Sequence, residues 1–167
     1  MNPVTGALVK YLGGENISGS AGWDLFVSVT EKRTLLGGSP EIRAVLVLRE
    51  ETLFLQEIRG TMDRFIRENK WKGNPRVYWF LLSSRGGIYL HEAVTGDPAW
   101  KKDPRRNRLC VINPGNGTVC LRPGHIQNRV ISERTAFLLG QYRFSPPEVW
   151  EKEIRTVFDV CLACMAS

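Results

Sequence analysis

Apolar residues recur along this chain with two different periods. Between residues 23 and 30 (WDLFVSVT) they alternate, with Leu25, Val27 and Val29 on one side and Phe26, Ser28 and Thr30 on the other. Period two with β-branched residues predicts a strand. Gly37, Gly38, Ser39 and Pro40 predict a turn. Residues 41–49 (EIRAVLVLR) are apolar on both sides and predict a central strand. A tight connection at Glu50 and Glu51 leads to residues 52–56 (TLFLQ), a third expected strand. The period then lengthens. Ile58, Met62, Phe65 and Ile66 share one face over residues 57–71, with Arg59, Asp63, Arg64, Arg67 and Glu68 opposite. That is an amphipathic helix, ended by Gly73, Asn74 and Pro75.

Residues 76–83 (RVYWFLLS) predict a strongly apolar strand. Gly86 and Gly87 turn the chain, and residues 88–94 (IYLHEAV) are expected to return it as a hairpin. Residues 95–108 read as an exposed loop. A second hairpin is predicted from 109–112 (LCVI) and 118–121 (TVCL) around Asn113, Pro114, Gly115, Asn116 and Gly117. Residues 132–143 fit helix and strand equally. Ser145, Pro146, Pro147 and Glu148 form a capping-box pattern. Trp150, Ile154, Val157, Phe158, Cys161 and Leu162 follow at helical spacing, predicting a closing helix over 146–164.

These elements predict an α+β fold: a mixed or antiparallel sheet of about five strands with a basic hairpin module, covered by two amphipathic helices. Residues 1–22 are expected to be an N-terminal arm and 23–167 one domain, with the basic hairpin region over 97–131. A chain of 167 residues is long enough to bury a sizeable core without disulfide or metal. It has no apolar run of bilayer-spanning length and no apolar leader, so we expect it in the cytoplasm or nucleus, neither secreted nor transmembrane.

Charge changes this picture. The chain carries a net charge of +6, and residues 101–134 alone hold eight Lys/Arg against two acids. The remaining chain is therefore neutral overall. A concentrated field of this kind attracts anionic partners: nucleic acid first, then an anionic membrane or an acidic protein. The expected nucleic-acid-binding set is Trp100, Lys101, Lys102, Arg105, Arg106, Arg108, Arg122, His125 and Arg129, with Trp100 offered as a base-stacking ring.

The enzymatic signals are sparse. Neither a phosphate-binding glycine loop nor a serine or cysteine triad can be assembled from the spacing. Cys110, Cys120, Cys161 and Cys164 are expected as core thiols, because Cys161 continues an apolar stripe and the Cys110–Cys120 spacing does not suit a zinc knuckle. A redox role for the CxxC at 161–164 fails because it closes a helix rather than opening one. The set offering catalysis is Asp24 and Glu57, whose carboxylates would hold Mg²⁺ for phosphodiester cleavage, with Arg59 in the place of a lysine that orients the water.

The run Gly22-Trp23-Asp24-Leu25-Phe26-Val27, two further strands, a helix, then Val77-Tyr78-Trp79-Phe80-Leu81-Leu82 and Ile88-Tyr89-Leu90 resembles the core of restriction-endonuclease-like nucleases over about residues 20–94. Small bacterial and mobile-element members of that superfamily show a similar order. The resemblance implies that fold and a nucleic-acid role. The strand at 44–48 (AVLVL) carries no polar-x-Lys pair, and Glu57-x-Arg59 replaces the lysine with an arginine, which is a poor base. The leading expectation is thus a non-catalytic nucleic-acid-binding or accessory protein. The alternatives are a Mg-dependent nuclease and a matrix-like structural protein on anionic membrane.

Overall fold

The strand Arg76–Leu82 is buried on both faces from its second residue onward, so helices must cover it from two sides. A computed structural model describes residues 3–12, 14–18, 22–30, 40–49, 55–71, 75–102, 107–122 and 124–166. Among them six strands form one mixed sheet in sequential order: β1 (Glu15–Asn16), β2 (Trp23–Thr30), β3 (Glu41–Leu48), β4 (Arg76–Leu82), β5 (Asn107–Ile112) and β6 (Val119–Cys120). The central strands β3, β4 and β5 run parallel, while β1–β2, β2–β3 and β5–β6 pair antiparallel. The expected α+β class and mixed sheet are therefore present, with an additional short strand and helices on both faces.

Parallel neighbours need crossover connections. Helix α2 (Leu55–Glu68) links β3 to β4, and α3 (Ile88–Thr95) with the short α4 (Pro98–Lys101) links β4 to β5. The strand order never reverses, so connections of one hand place both crossovers on the same face. There Ile58, Met62, Val94 and Trp100 pack with Leu25, Leu46, Trp79 and Val111. The opposite face is covered by α1 (Pro3–Leu12), α5 (Gln127–Gln141) and α6 (Pro147–Ala166). Trp150 of α6 ties this layer together. Its ring lies 5.6 Å from Tyr11 and 5.0 Å from Tyr142, and its indole N–H donates to the Leu138 carbonyl at 2.8 Å. Below it Phe158 meets Phe80 edge-on at 5.3 Å.

Four expectations change. Residues 88–94 are a helix and not the return strand of a hairpin, because β4 finds its partner in β5, parallel to it. Leu55 and Gln56 open α2 instead of closing a third strand, while residues 52–54 lie outside the described residues. The segment 95–108 is not all loop, since it contains α4. Residues 132–141 resolve as helix, in α5, and 142–143 as the turn that follows it. That helix buries Ile131, Thr135 and Leu138 but exposes Val130 and Phe137, which blurred its period. The turns read at 37–39 and 73–74 lie outside the described residues. The β5–β6 hairpin and the closing helix fall where they were expected. In that hairpin, Gly117 takes φ +77° and a Cβ there would meet the Ala136 backbone of α5 at 2.5 Å.

The first strand of the sheet and the helix before it come from the segment expected as an arm. Leu8 of α1 is fully buried in the core under α6. Leu8→Ala is expected to cost about 2–5 kcal/mol in urea unfolding. Val149→Ala, on the exposed side of α6, should stay within about 0.5 kcal/mol.

Candidate nucleic-acid interface

Strand β6 is only two residues long, and it pairs with Val111 and Ile112 at the far end of β5. The first half of β5 therefore lacks β6 as a neighbour. A cleft of about 260 Å³ opens there, at the place where the two helical layers meet around the sheet edge. One wall is His91 and Thr95 of α3 with Lys101 of α4, while the buried Trp100 of α4 lies beneath it. Asn107, Arg108 and Leu109 of β5 line its base, and Leu121, Arg122 and His125 follow from the chain leaving β6. Cys164 and Met165 close it from the end of α6.

Lys101, Arg108, Arg122 and His125 were all expected at an anion-binding site, and one cleft gathers them with Trp100. No ion pair of the described residues involves Lys101, Arg108 or Arg122. Among the described residues the cleft lining contains no carboxylate. Its cationic field is thus left uncompensated within the cleft, apart from the carboxylates that lie further off. Lys102 is exposed one residue beyond Lys101. Arg105 and Arg106 lie outside the described residues. Arg129 stands apart from the cleft lining, exposed on α5 and paired with Glu133 at 3.1 Å. Arg134 is similarly committed to Glu153 of α6.

Trp100 has a different role from the one its neighbours suggested. It is 5 % exposed, packs at 5.5 Å on Trp79, and lies under the guanidinium of Arg59 at 5.6 Å. A base cannot stack on its face without displacing these groups. The ring instead forms the apolar floor of the cleft. Trp79 extends the support by donating its indole N–H to Asn107 Oδ1 at 3.1 Å.

The loop after β6 is held by side chains of α5. Asn128 accepts from the Leu121 N–H at 2.8 Å and donates to the Arg122 carbonyl at 2.6 Å. Ser132 accepts from the Val119 N–H at 2.8 Å and donates to the Val119 carbonyl at 3.1 Å. These bonds fix the backbone that carries Arg122. His125 Nδ1 accepts from the Gln127 N–H at 3.1 Å, which leaves the ring proton on Nε2.

His91 was assigned to a strand and treated as isolated. It is buried in α3, and its Nε2–H donates to the Leu121 carbonyl at 2.8 Å. A carbonyl only accepts, so the neutral ring carries its lone pair on Nδ1, a buried atom without a partner. Burial lowers the His91 pKa below the ordinary histidine range, opposed by the carbonyls of Leu121 and Leu109 and by Glu92. The strand reading hid this residue, since its place in the cleft depends on the helical turn of α3. Cys164 was expected only as a core thiol, and Met165 lies one residue past the expected end of the closing helix.

The set expected for metal chemistry does not assemble. Asp24 accepts an ion pair from Arg49 at 3.2 Å and lies across from Val47, on the sheet face covered by α1, α5 and α6. Glu57 is exposed on α2, which covers the other face. Arg59 rests on Trp100. Among the described residues no group of three His, Cys, Asp or Glu is placed to hold a metal ion. Asp24 and Glu57, on opposite faces of the sheet, do not form a divalent-cation centre with each other. Cys110, Cys120 and Cys161 are buried free thiols, and burial pushes the Cys110 thiol well up, with Cys161 adding to the shift.

Comparison with known proteins found no matching family model, no similar curated protein and no similar solved structure. Among the described residues no helix is long and apolar enough to cross a membrane.

The lowered His91 pKa sets a pH dependence. Above the ordinary histidine value of about 6.5 both folded and unfolded rings are neutral, and the stabilisation is full. As the pH falls below it, the unfolded chain takes up a proton that the folded ring resists, so stability declines until the folded ring also titrates. Urea midpoints at about pH 7.5 and about pH 5.5 should differ, and His91→Gln should shrink the difference.

Proposed function

We propose that the protein binds nucleic acid through the cleft beside β6, without cleaving it. The observation that carries this reading is the convergence of Lys101, Arg108 and Arg122, none ion-paired among the described residues, on one concave site. Phosphate recognition needs positive groups that are not already neutralised and donors held in a fixed frame. Arg108 sits on a strand, and Arg122 sits on backbone clamped by Asn128. His125 adds an N–H donor beside them.

The resemblance to restriction-endonuclease-like nucleases rests on the order β2–β3–α2–β4 alone, because Ile88-Tyr89-Leu90 lies in α3 and not in a strand. Cleavage does not gain the same support. Val47 and Arg49 stand beside Asp24 where an acid and a lysine would be required, and Glu57 belongs to the opposite sheet face. Arg49 neutralises the one carboxylate and cannot act as a base. A non-catalytic binding or accessory role follows from this combination, with anionic membrane and acidic protein as the competing partners.

The expected salt behaviour is a linear fall of log affinity with log salt, as phosphates release their counterions. Arg108→Gln or Arg122→Gln should weaken binding across sequences and lower that slope by about one. Arg129→Gln, already paired with Glu133, should change it less. Affinity independent of salt, or binding to anionic vesicles in place of DNA and RNA, rejects the reading. Incubation of labelled DNA and RNA with Mg²⁺ or Mn²⁺ should leave both intact. Cleavage that disappears in Asp24→Asn would establish the nuclease alternative instead.

A further inference from the structure

The cleft differs from a flat basic patch in three respects. It is small, at about 260 Å³, near the lower edge of the ~300–1,000 Å³ of small-molecule sites. Its charge is concentrated: Lys101, Arg108 and Arg122 line it, with no acid in the lining among the described residues. Its floor is apolar, built from Trp100, Leu109 and Leu121. A closed duplex lying across the mouth would reach the rim cations but leave the floor unused.

The floor and the charge together point to a narrower ligand. An internal phosphodiester carries one negative charge and continues in both directions along the strand. A phosphomonoester carries nearly two at neutral pH, presents three acceptor oxygens, and ends the chain. Three cations with His125 Nε2–H suit the second group better than the first. The apolar floor offers contact to the sugar or base attached to it.

We propose that this cleft binds the phosphomonoester of a nucleotide, either at the end of a strand or as a free nucleoside monophosphate, held by Lys101, Arg108, Arg122 and His125. This assignment rests on the nucleic-acid reading of the same cleft for its strand-end form only. Nothing in it requires bond breaking. It assigns a function to the shortness of β6, which leaves the first half of β5 open to a ligand.

The test uses the full chain and same-sequence single-stranded oligonucleotides bearing a 5′-phosphate, a 3′-phosphate or hydroxyls at both ends. Fluorescence anisotropy at fixed salt should give about tenfold or tighter binding to a phosphorylated end. Adenosine monophosphate should compete, and inorganic phosphate should compete less well because it leaves the floor uncovered. Arg122→Gln and Arg108→Gln should erase the preference for the phosphorylated end, with urea midpoints confirming that both variants fold. Equal, salt-dependent binding of all oligonucleotides overturns this inference and leaves the nucleic-acid reading standing. Binding of adenosine monophosphate without any oligonucleotide binding keeps the phosphomonoester site and overturns the nucleic-acid reading. Inorganic phosphate competing as well as adenosine monophosphate overturns the nucleotide assignment, and no binding of any probe overturns both.

Discussion

A strand that is apolar on both faces has to be covered twice, and β4 imposes that demand on the whole chain. Val77, Trp79 and Leu81 face one helical layer while Tyr78, Phe80 and Leu82 face the other. Burying a large side chain of this kind contributes about 1.5–3 kcal/mol. Leaving either face open would forfeit several such contributions and expose a broad apolar patch. The crossovers β3–α2–β4 and β4–α3–α4–β5 supply one cover because parallel pairing requires them. The other cover has to come from outside the parallel unit, and α1, α5 and α6 provide it.

The position of the cleft follows from this arrangement. In open sheets whose strand order reverses, diverging connections leave a crevice at the reversal. Here the order is sequential throughout, so no such crevice forms. The two helical layers instead approach each other around the β6 edge. There α3 and α4 arrive from one layer and the end of α6 from the other. The gap between them receives side chains from segments far apart in the chain, which is how Lys101, Arg108 and Arg122 come together.

Legibility in the sequence tracked how local each signal was. Strands β2, β3 and β4 and helices α2 and α6 were readable because their apolar periods are sustained over eight residues or so. Helix α3 was not, because two turn glycines precede an alternating Ile88-Tyr89-Leu90-His91, and only the parallel pairing of β4 with β5 rules out a hairpin. The charge concentration covers the part of the chain that contributes Lys101, Arg108, Arg122 and His125 to the cleft. It did not separate Arg122 from Arg129, since the latter's commitment to Glu133 depends on a helical turn within a segment of ambiguous period. Trp100 was misjudged for a related reason. Its basic neighbours suggested exposure, whereas its partners Trp79 and Arg59 come from other elements.

The bonds from Asn128 and Ser132 to the backbone after β5 have a consequence beyond holding Arg122. A terminal strand normally offers its outward amides and carbonyls to any passing chain. In this protein side chains of α5 occupy the amide and carbonyl of Val119 and the amide of Leu121, and His91 of α3 occupies the Leu121 carbonyl. One helix, α5, therefore both holds the backbone that carries Arg122 and withholds this edge as a template for sheet-to-sheet pairing.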